Sequence, residues 1–227
     1  MAAAQSSSSR KINIVCIGGH PDDPESGCGG TLATYAGLGN SVTVVYLTRG
    51  EAGIAGKSHE QAAAIRSAEC ETSCKILGVK PVFAGQIDGA TVVDGKAAAA
   101  FGQLVSAEHP DVILAQWPID THPDHQAASM LAYRAWLAGG RHAELYFYEV
   151  DLGAQTMGFH PTDYVDITPV REKKKAALFA HKSQGGEEIY RRYHGPMEDF
   201  RGREAGVAAA EGFVRLARGS ASGLPGL

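Results

Sequence analysis

Short apolar runs alternate with helical patterns along the chain, and this alternation restricts the fold more than any other feature. Buried strands are predicted at residues 11–17, 41–48, 81–84 and 111–116. Helices are predicted between them at residues 27–38, 58–77 and 96–108. Strands and helices that alternate over short connections predict a Rossmann-like, doubly wound α/β fold, with a mostly parallel sheet covered by helices on both faces.

The expected topology also predicts where a ligand would bind. In such sheets, ligands occupy the crevice beyond the carboxyl ends of the strands, where the winding reverses. If the usual strand order 3-2-1-4 applies, the first and fourth strands are neighbours at this crevice. The loops that follow residues 17 and 116 should therefore face each other.

The loop after the first strand concentrates one imidazole and three carboxylates within six positions: His20, Asp22, Asp23 and Glu25. Crowded carboxylates raise one another's pKa, and a bound metal ion is the simplest compensation. Residues three apart in a turn point to the same side, so His20 and Asp23 can share one ion while Asp22 stays unligated. The alternative is that Asp23 only caps a helix with Pro24 in its first turn.

The loop after the fourth strand carries His122, Asp124 and His125 at the start of a helix predicted at residues 127–137. The positive end of a helix dipole disfavours imidazolium, which keeps a neutral lone pair available for a metal. We predict that His20, Asp23 and His125 bind zinc, because three protein ligands and an open fourth position are typical of catalytic zinc. An exchange of roles between His122 and His125 stays open.

The remaining polar side chains of the two loops suit amide hydrolysis. Zinc would lower the pKa of a water molecule to about 7. Asp22 would act as general base and later as general acid to the leaving amine. His122 would stabilise the oxyanion, and Asp124 would orient His122.

These motifs resemble those of the N-acetylglucosaminyl-phosphatidylinositol deacetylase family, also called PIG-L-like or LmbE-like. The resemblance covers roughly residues 12–185. The matching segments are H-P-D-D at 20–23, T-R-G-E-A-G at 48–53, Arg66 with Glu69, Asp88-Gly89, H-P-D-H at 122–125 and A-H-K-S-Q at 180–184. The chain departs from the family where Pro24 separates the aspartate pair from Glu25, and where residues 117–121 lack a tyrosine that some members place there.

The resemblance implies a zinc-dependent amidase that removes acetyl groups from N-acetylglucosamine-type sugars on a fold without a nucleotide. It implies that Asp22 is the base and that Arg66 and Asp88 contact the sugar or its headgroup. A surface ion pair is the alternative for Arg66. Arg49 and Glu51 are further candidates for substrate binding, with ordinary loop charges as the alternative. Residues 184–200 are expected to form part of the substrate rim, and the assembly of relatives is compatible with a homo-oligomer, a dimer or a hexamer.

Length and composition predict a single domain at residues 11–218, with a disordered tail at 1–10 and a flexible end at 219–227. The net charge of -4 gives no indication of nucleic-acid binding, and the basic run 171–175 is interpreted as a solvated helix face. No apolar run is long enough to span a bilayer. A cytoplasmic location is favoured, an exported form stays open, and the four cysteines are predicted to be buried free thiols.

Other function classes fit the sequence less well. A nucleotide-binding oxidoreductase needs G-x-G-x-x-G after the first strand, but here Gly18-Gly19 is followed by His20-Pro21. A serine hydrolase of the α/β type is disfavoured because the chain has no G-x-S-x-G motif. A non-catalytic zinc- or sugar-binding protein on the same fold stays open, although a binder has no need for an unligated Asp22. An amidase of a thiol-sugar conjugate is a further alternative.

Overall fold

The structure is a computed structural model that describes residues 10–150 and 155–216, and it contains a seven-stranded mixed sheet between layers of helices. Five strands are parallel and lie in the order β3 (Lys80–Phe83), β2 (Ser41–Tyr46), β1 (Asn13–Gly18), β4 (Val112–Gln116) and β5 (Glu144–Tyr148). Two antiparallel strands complete the sheet beyond β5, namely β7 (Ala210–Arg215) and then β6 (Asp163–Asp166). The predicted order 3-2-1-4 is confirmed.

Helices pack against both faces of the sheet because the central strands are apolar on both sides. One face carries α1 (Asp23–Gly37), α2 (His59–Leu77) and α5 (Arg171–Phe179), and the other carries α3 (Gly95–Ala107) and α4 (Pro123–Ala138). Along β1, Ile14 and Cys16 contribute to the first core, whereas Val15 and Ile17 contribute to the second. This distribution is typical of a parallel strand that is buried on both sides.

The first helix begins earlier than the sequence predicts. The expected start at residue 27 lies inside α1, which begins at Asp23 and is kinked at Cys28, where φ is -144° and ψ is 20°. Beyond the kink, the carboxylate of Glu211 in β7 accepts hydrogen bonds from the backbone amides of Gly30 (2.9 Å) and Thr31 (2.7 Å). A carboxylate is well placed there, because the first amides of a helical segment have no partner within the helix.

The interpretation of residues 171–175 as a solvated helix face is wrong for Lys174. This side chain is 1% exposed and lies between two buried carboxylates, 2.8 Å from Glu198 Oε1 and 2.7 Å from Glu211 Oε1. Its neighbour Lys175 is partly exposed and pairs with the exposed Glu172. Because residues 171–175 are all charged, the sequence gives no local sign that Lys174 lies on the buried side of the helix.

The part of the chain after β5 is more elaborate than predicted. The sequence pattern also predicts short strands at 145–150 and 164–167, which correspond to β5 and β6. It predicts a helix at 169–181, which is shortened to α5 after a turn of 3-10 helix at Thr168–Val170. A further 3-10 turn at Lys182–Gln184, a short α6 (Gly186–Ile189), a π-helical turn at Tyr190–His194 and α7 (Gly195–Ala205) follow. The sequence analysis predicts none of these last elements and does not predict β7.

The structure also bears on the predictions for the cysteines, for membrane spans and for the two ends of the chain. Cys16, Cys28, Cys70 and Cys74 are buried and free, as predicted. Among the described residues, no helix is both long enough and apolar enough to cross a membrane. The predicted tail and flexible end lie outside the described residues, except for Arg10, whose guanidinium group pairs with Asp111.

Candidate metal centre and active site

A cavity of about 510 Å³ opens where the loops after β1 and β4 meet. Five predicted site residues from these two loops line it, namely His20, Asp22, Asp23, His122 and His125. The topology therefore brings together residues that are about one hundred positions apart in the chain. The volume falls within the range of about 300 to 1,000 Å³ that is usual for small-molecule sites.

The carboxylate of Asp23 lies between two of the histidines. Its Oδ2 atom is 3.2 Å from Nδ1 of His20 and 3.3 Å from Nε2 of His125. Two atoms bound to one tetrahedral zinc ion at about 2.0 to 2.1 Å are separated by about 3.3 Å. Nitrogen atoms of His20, His122 and His125 also lie within 4.8 Å of one another, so His122 remains available as an alternative ligand.

Carboxylates on the far side of each ring determine which nitrogen is available for a metal. Nε2 of His20 lies 3.1 Å from Asp124 Oδ2 and 3.2 Å from Asp88 Oδ1. Nδ1 of His125 lies 3.1 Å from Asp120 Oδ2. A proton held on these nitrogens leaves the lone pairs of His20 Nδ1 and His125 Nε2 directed towards Asp23. This arrangement of carboxylate and histidine is typical of metal ligands in proteins.

The electrostatic environment of the three donors favours a positive charge. Burial opposes the charged form of His20, but the carboxylates of Asp124, Asp23 and Asp88 outweigh it and raise its pKa well above the usual value. Burial is similarly outweighed at His125, where Asp23 and Asp120 raise the pKa to about 9. The same carboxylates would stabilise a bound cation, so the donor set fits a metal ion in chemistry as well as in position.

Asp22 lies beside these donors without being placed among them. Its backbone has a φ of 113° and a ψ of -30°, a conformation that side-chain-bearing residues seldom adopt and that is often retained at functional sites. Burial raises the pKa of its carboxyl group to about 6, and the positive charge of Arg66 limits the rise. A carboxyl group with this pKa can exchange protons near neutral pH.

Comparison with known proteins identifies the family. Residues 15–136, more than half of the chain, match the model of the family described as PIG-L, GlcNAc-PI de-N-acetylase. The chain belongs to the PIG-L family. It is similar to the diacetylchitobiose deacetylase of Thermococcus kodakarensis, with 30% identity over 216 residues that cover 88% of this chain and 81% of the relative.

Solved structures agree with the assignment to the PIG-L family. The N,N'-diacetylchitobiose deacetylase of Pyrococcus horikoshii, solved with an inhibitor, has a TM-score of 0.80 and 26% identity over 93% of this chain and 86% of that chain. The 4-carboxy-2-hydroxymuconate hydratase of Pseudomonas putida has a TM-score of 0.81 and 23% identity over 95% of this chain and 100% of that chain. The hydratase likeness shows the fold alone, because one fold can carry unrelated reactions.

In this PIG-L family chain, Asp124 does not orient His122 in the way that the sequence predicts. Its carboxylate faces His20 and accepts hydrogen bonds from the amide of Gly89 (2.8 Å) and the hydroxyl of Thr91 (2.6 Å). His122 is held instead by the backbone amide of Asp124, which donates to its Nδ1 at 3.2 Å. At the start of α4, the backbone amide of Asp124 therefore binds His122, whereas its carboxylate binds His20.

Two of the predicted substrate contacts have structural partners in the cavity wall. Nη2 of Arg66 lies 3.3 Å from Asp22 Oδ2 and donates to the carbonyl of Pro21, and the residue is 3% exposed. Asp88 contacts His20 and accepts a hydrogen bond from the amide of Ala52 at 3.0 Å. Both residues line the cavity, so a contact with substrate stays a prediction beside these roles.

The other two predicted substrate contacts are not among the described residues that line the cavity. Arg49 is exposed. Glu51 is buried, and its Oε2 atom accepts hydrogen bonds from the amides of Arg49 (3.2 Å) and Asp88 (3.4 Å). Glu51 therefore fixes the loop that carries Asp88, and it does so from outside the cavity.

Sequence reasoning gave no role to Glu25 and His181, which support Asp22 from within the core. Oε2 of Glu25 accepts the amide of Asp22 at 3.2 Å, while Oε1 lies 3.1 Å from His181 Nε2 and accepts the hydroxyl of Tyr46 at 2.7 Å. Despite burial, the two partners favour each other's charged form, so the pKa of Glu25 is lowered and that of His181 is raised. The match of residues 180–184 to the family was the one sign in the sequence that His181 has a role, but it did not indicate that His181 pairs with Glu25.

The remaining wall of the cavity is formed by residues beyond the match to the PIG-L family model. We call this set the C-terminal wall; it consists of Val150, Gln155, Leu178, Gln184, Ile189 and His194. Three of its members fall within residues 184–200, the segment expected to form the substrate rim. The two histidine-containing loops thus supply the donors, and the C-terminal wall comes from a part of the chain beyond residue 136.

Proposed function

We propose that this protein is a zinc-dependent deacetylase that hydrolyses the N-acetyl amide of an N-acetylglucosamine-type sugar. The observation that carries the proposal is the position of Asp22, an ionisable carboxyl group held in a strained backbone beside a cluster of metal donors. Both similar deacetylases reported above act on diacetylchitobiose, according to their names. The proposal assigns His20, Asp23 and His125 as zinc ligands.

Zinc is supported by the chemistry of the donors. Two imidazoles and one carboxylate form a ligand set that catalytic zinc prefers, and buried carboxylates orient both rings. When bound, the ion would supply an activated water molecule and would polarise the amide carbonyl.

The chain's own residues would carry the proton transfers. Asp22 takes a proton from the attacking water and returns it to the leaving amine, which its raised pKa permits near neutral pH. Arg66, Glu25 and the peptide of Asp22 keep this carboxyl group directed at the cavity.

His122 is suited to stabilise the negative charge that develops on the carbonyl oxygen. Burial and the neighbouring histidines lower its pKa, so the ring is neutral. Because Nδ1 accepts the amide of Asp124, the proton of the neutral ring is on Nε2, where it can be donated.

The charge of the cavity favours an uncharged sugar. Among the described residues that line it, Arg66 is the one arginine or lysine, and its guanidinium group is occupied by Asp22 and Pro21. An anionic substrate would therefore find no arginine or lysine among the described lining residues that is not already paired with a carboxylate of the chain. This argues against a carboxylated substrate of the kind named for the hydratase.

The alternative is a zinc- or sugar-binding protein without activity. Binding alone gives no reason to keep Asp22 in an unfavourable backbone conformation, since strain of this kind costs about 1 to 3 kcal/mol. Two buried residues, Glu25 and Arg66, are committed to that conformation.

Acetate release tests the proposal. The zinc-loaded protein should release acetate from N-acetylglucosamine or diacetylchitobiose, should lose activity with a chelator, and should regain it when zinc is added back. A panel that includes a carboxylated conjugate of N-acetylglucosamine tests the charge preference. Sugar binding without acetate release from any member of the panel would favour the non-catalytic alternative.

A further inference from the structure

The C-terminal wall combines apolar side chains with one buried histidine. Leu178 is buried and Ile189 is partly buried, and both line the cavity together with His194, which is 1% exposed. Pyranose rings present carbon-bound hydrogens on their faces and hydroxyl groups at their edges. A wall with this mixture matches both parts of an uncharged sugar.

His194 is placed by an unusual piece of backbone. It is the last residue of the π-helical turn Tyr190–His194, directly before Gly195 at the start of α7. Isolated π-helical turns are rare and frequently occur at functional sites. The turn brings the imidazole from the protein interior to the cavity surface.

Its protonation state suits recognition of a hydroxyl group. Burial, together with the positive charge of Lys174, lowers the pKa of His194 to about 3, although Asp23 acts in the opposite direction. The ring is therefore neutral across the physiological range, and a neutral imidazole carries one N–H donor and one acceptor nitrogen. Among the described residues, the groups of possible metal ligands do not include His194, so it is not needed as a zinc ligand.

We propose that His194 is a substrate-binding residue that hydrogen-bonds a ring hydroxyl of the N-acylated sugar, while Leu178 and Ile189 contact the sugar's apolar face. This inference rests on the proposed function for the class of substrate. It assigns sugar recognition to a residue outside the part of the chain that the family model matches. A contact between His194 and a sugar hydroxyl would determine which sugar ring is oriented for deacetylation.

The test pairs protein variants with modified sugars. His194→Phe keeps a ring of similar shape and removes the hydrogen bond, so KM for N-acetylglucosamine should rise about tenfold with kcat within about threefold, the effect of losing one neutral hydrogen bond. Wild-type protein should discriminate against one of the 3-, 4- or 6-deoxy analogues by a similar factor. For that analogue alone, His194→Phe should cause no further loss.

Controls separate this effect from general damage. Tyr193→Leu alters the adjacent side chain of the same turn, which is not among the described residues that line the cavity, and should leave KM unchanged. His194→Gln retains a donor and an acceptor and should restore part of the affinity. If His194→Phe does not fold, the same series is measured with His194→Asn. Equal discrimination among the deoxy sugars by wild type and variant would overturn the proposal.

A binding measurement keeps this proposal separate from the proposed function. Calorimetric titration of zinc-loaded Asp22→Asn with N-acetylglucosamine and its deoxy analogues, with and without His194→Phe, reports recognition without hydrolysis. If the loss of affinity caused by His194→Phe disappears for one deoxy analogue, but the wild type releases no acetate, the role of His194 in sugar binding is supported and the deacetylase activity is rejected. If the wild type releases acetate, but His194→Phe weakens the binding of all the sugars equally or of none, the deacetylase activity is supported and the role of His194 is rejected.

Discussion

The guanidinium group of Arg66 and the carboxylate of Asp22 form a buried ion pair in the cavity wall, with 3.3 Å between Nη2 and Oδ2. The same Nη2 atom donates to the carbonyl of Pro21, so a residue of α2 holds both the backbone and the side chain of the loop after β1. The sequence interpretation treated Arg66 as a sugar contact or a surface charge. Its burial makes it first a support for the proposed base.

Arg66→Met should shift the pH profile of the reaction. Burial raises the pKa of Asp22 to about 6 and Arg66 limits that rise, so removing the charge raises this pKa further. More of the base is then protonated at a given acidic pH, and the acidic limb of kcat/KM moves to higher pH. Arg66→Lys retains the charge and should largely restore the wild-type limb. An unmoved limb in Arg66→Met would show that Asp22 is not the titrating group.

Asp22→Asn should separate metal binding from catalysis. The amide keeps the shape of the side chain but cannot accept the proton, so kcat should fall by about 100-fold to 10,000-fold. Zinc content, measured by mass spectrometry after dialysis, should stay at the wild-type level. A loss of zinc that accompanies the loss of activity would place Asp22 among the ligands instead.

His125→Ala and His122→Ala should differ in their effect on zinc. If His125 is a ligand, its removal lowers zinc occupancy, whereas His122→Ala retains zinc and loses mainly kcat, by about 100-fold to 1,000-fold for one oxyanion donor. Zinc stoichiometry and single-turnover rates measured on both variants decide between them. The opposite pattern would exchange the two roles, which the clustering of the histidines allows.

Lys174→Met should destabilise the fold strongly, because it leaves the buried carboxylate of Glu211 without the lysine and leaves Glu198 with Arg171 as its cation. Breaking a buried pair of this kind costs about 3 to 5 kcal/mol. The matched control is Lys175→Met on the same helix, which removes a partly exposed pair with Glu172 and should cost less than about 1 kcal/mol. Urea unfolding of both variants gives the comparison, and similar values for the two would contradict a special role for Lys174.

His194 should make a distinct contribution to stability in acid. Its pKa is about 3 in the folded protein, where burial is the main cause, and 6.5 is its ordinary value. Between these values the unfolded chain binds the proton and the folded protein does not, so stability contributed above pH 6.5 is lost as the pH falls towards 3. The difference in unfolding free energy between wild type and His194→Phe should shrink over that range. A pH-independent difference would contradict the neutral, buried state.

The sequence predicted the features that depend on local pattern. The strands up to β5, the order of the first four strands and the positions of the two motif loops follow from apolar runs, helix signals and one topological rule. The family and the enzyme class followed from His20-Pro21-Asp22-Asp23 and its counterpart at 122–125. β7 was missed because Ala210–Arg215 contains a glycine and two charges, and its pairing with β5 and β6 is far away in sequence.

The supporting contacts were missed for a related reason. Thr91 reaches Asp124 across 33 positions, and His181 reaches Glu25 across 156. Nothing in either local segment indicates the partner. The ligand set, the cytoplasmic location and the dimer or hexamer stay predictions.

The hydrogen bonds from Gly30 and Thr31 to Glu211 bear on how such enzymes can be recombined. Grafting the C-terminal half of a relative, in order to alter the preferred sugar, would also replace the carboxylate that anchors the kinked helix carrying Asp23. A graft without an acidic residue at the position of Glu211 would leave these amides unbound and would hold the loop that carries Asp23 less firmly. A chimaera made to change the preferred sugar must therefore also supply an acidic residue that binds the backbone amides of the first helix.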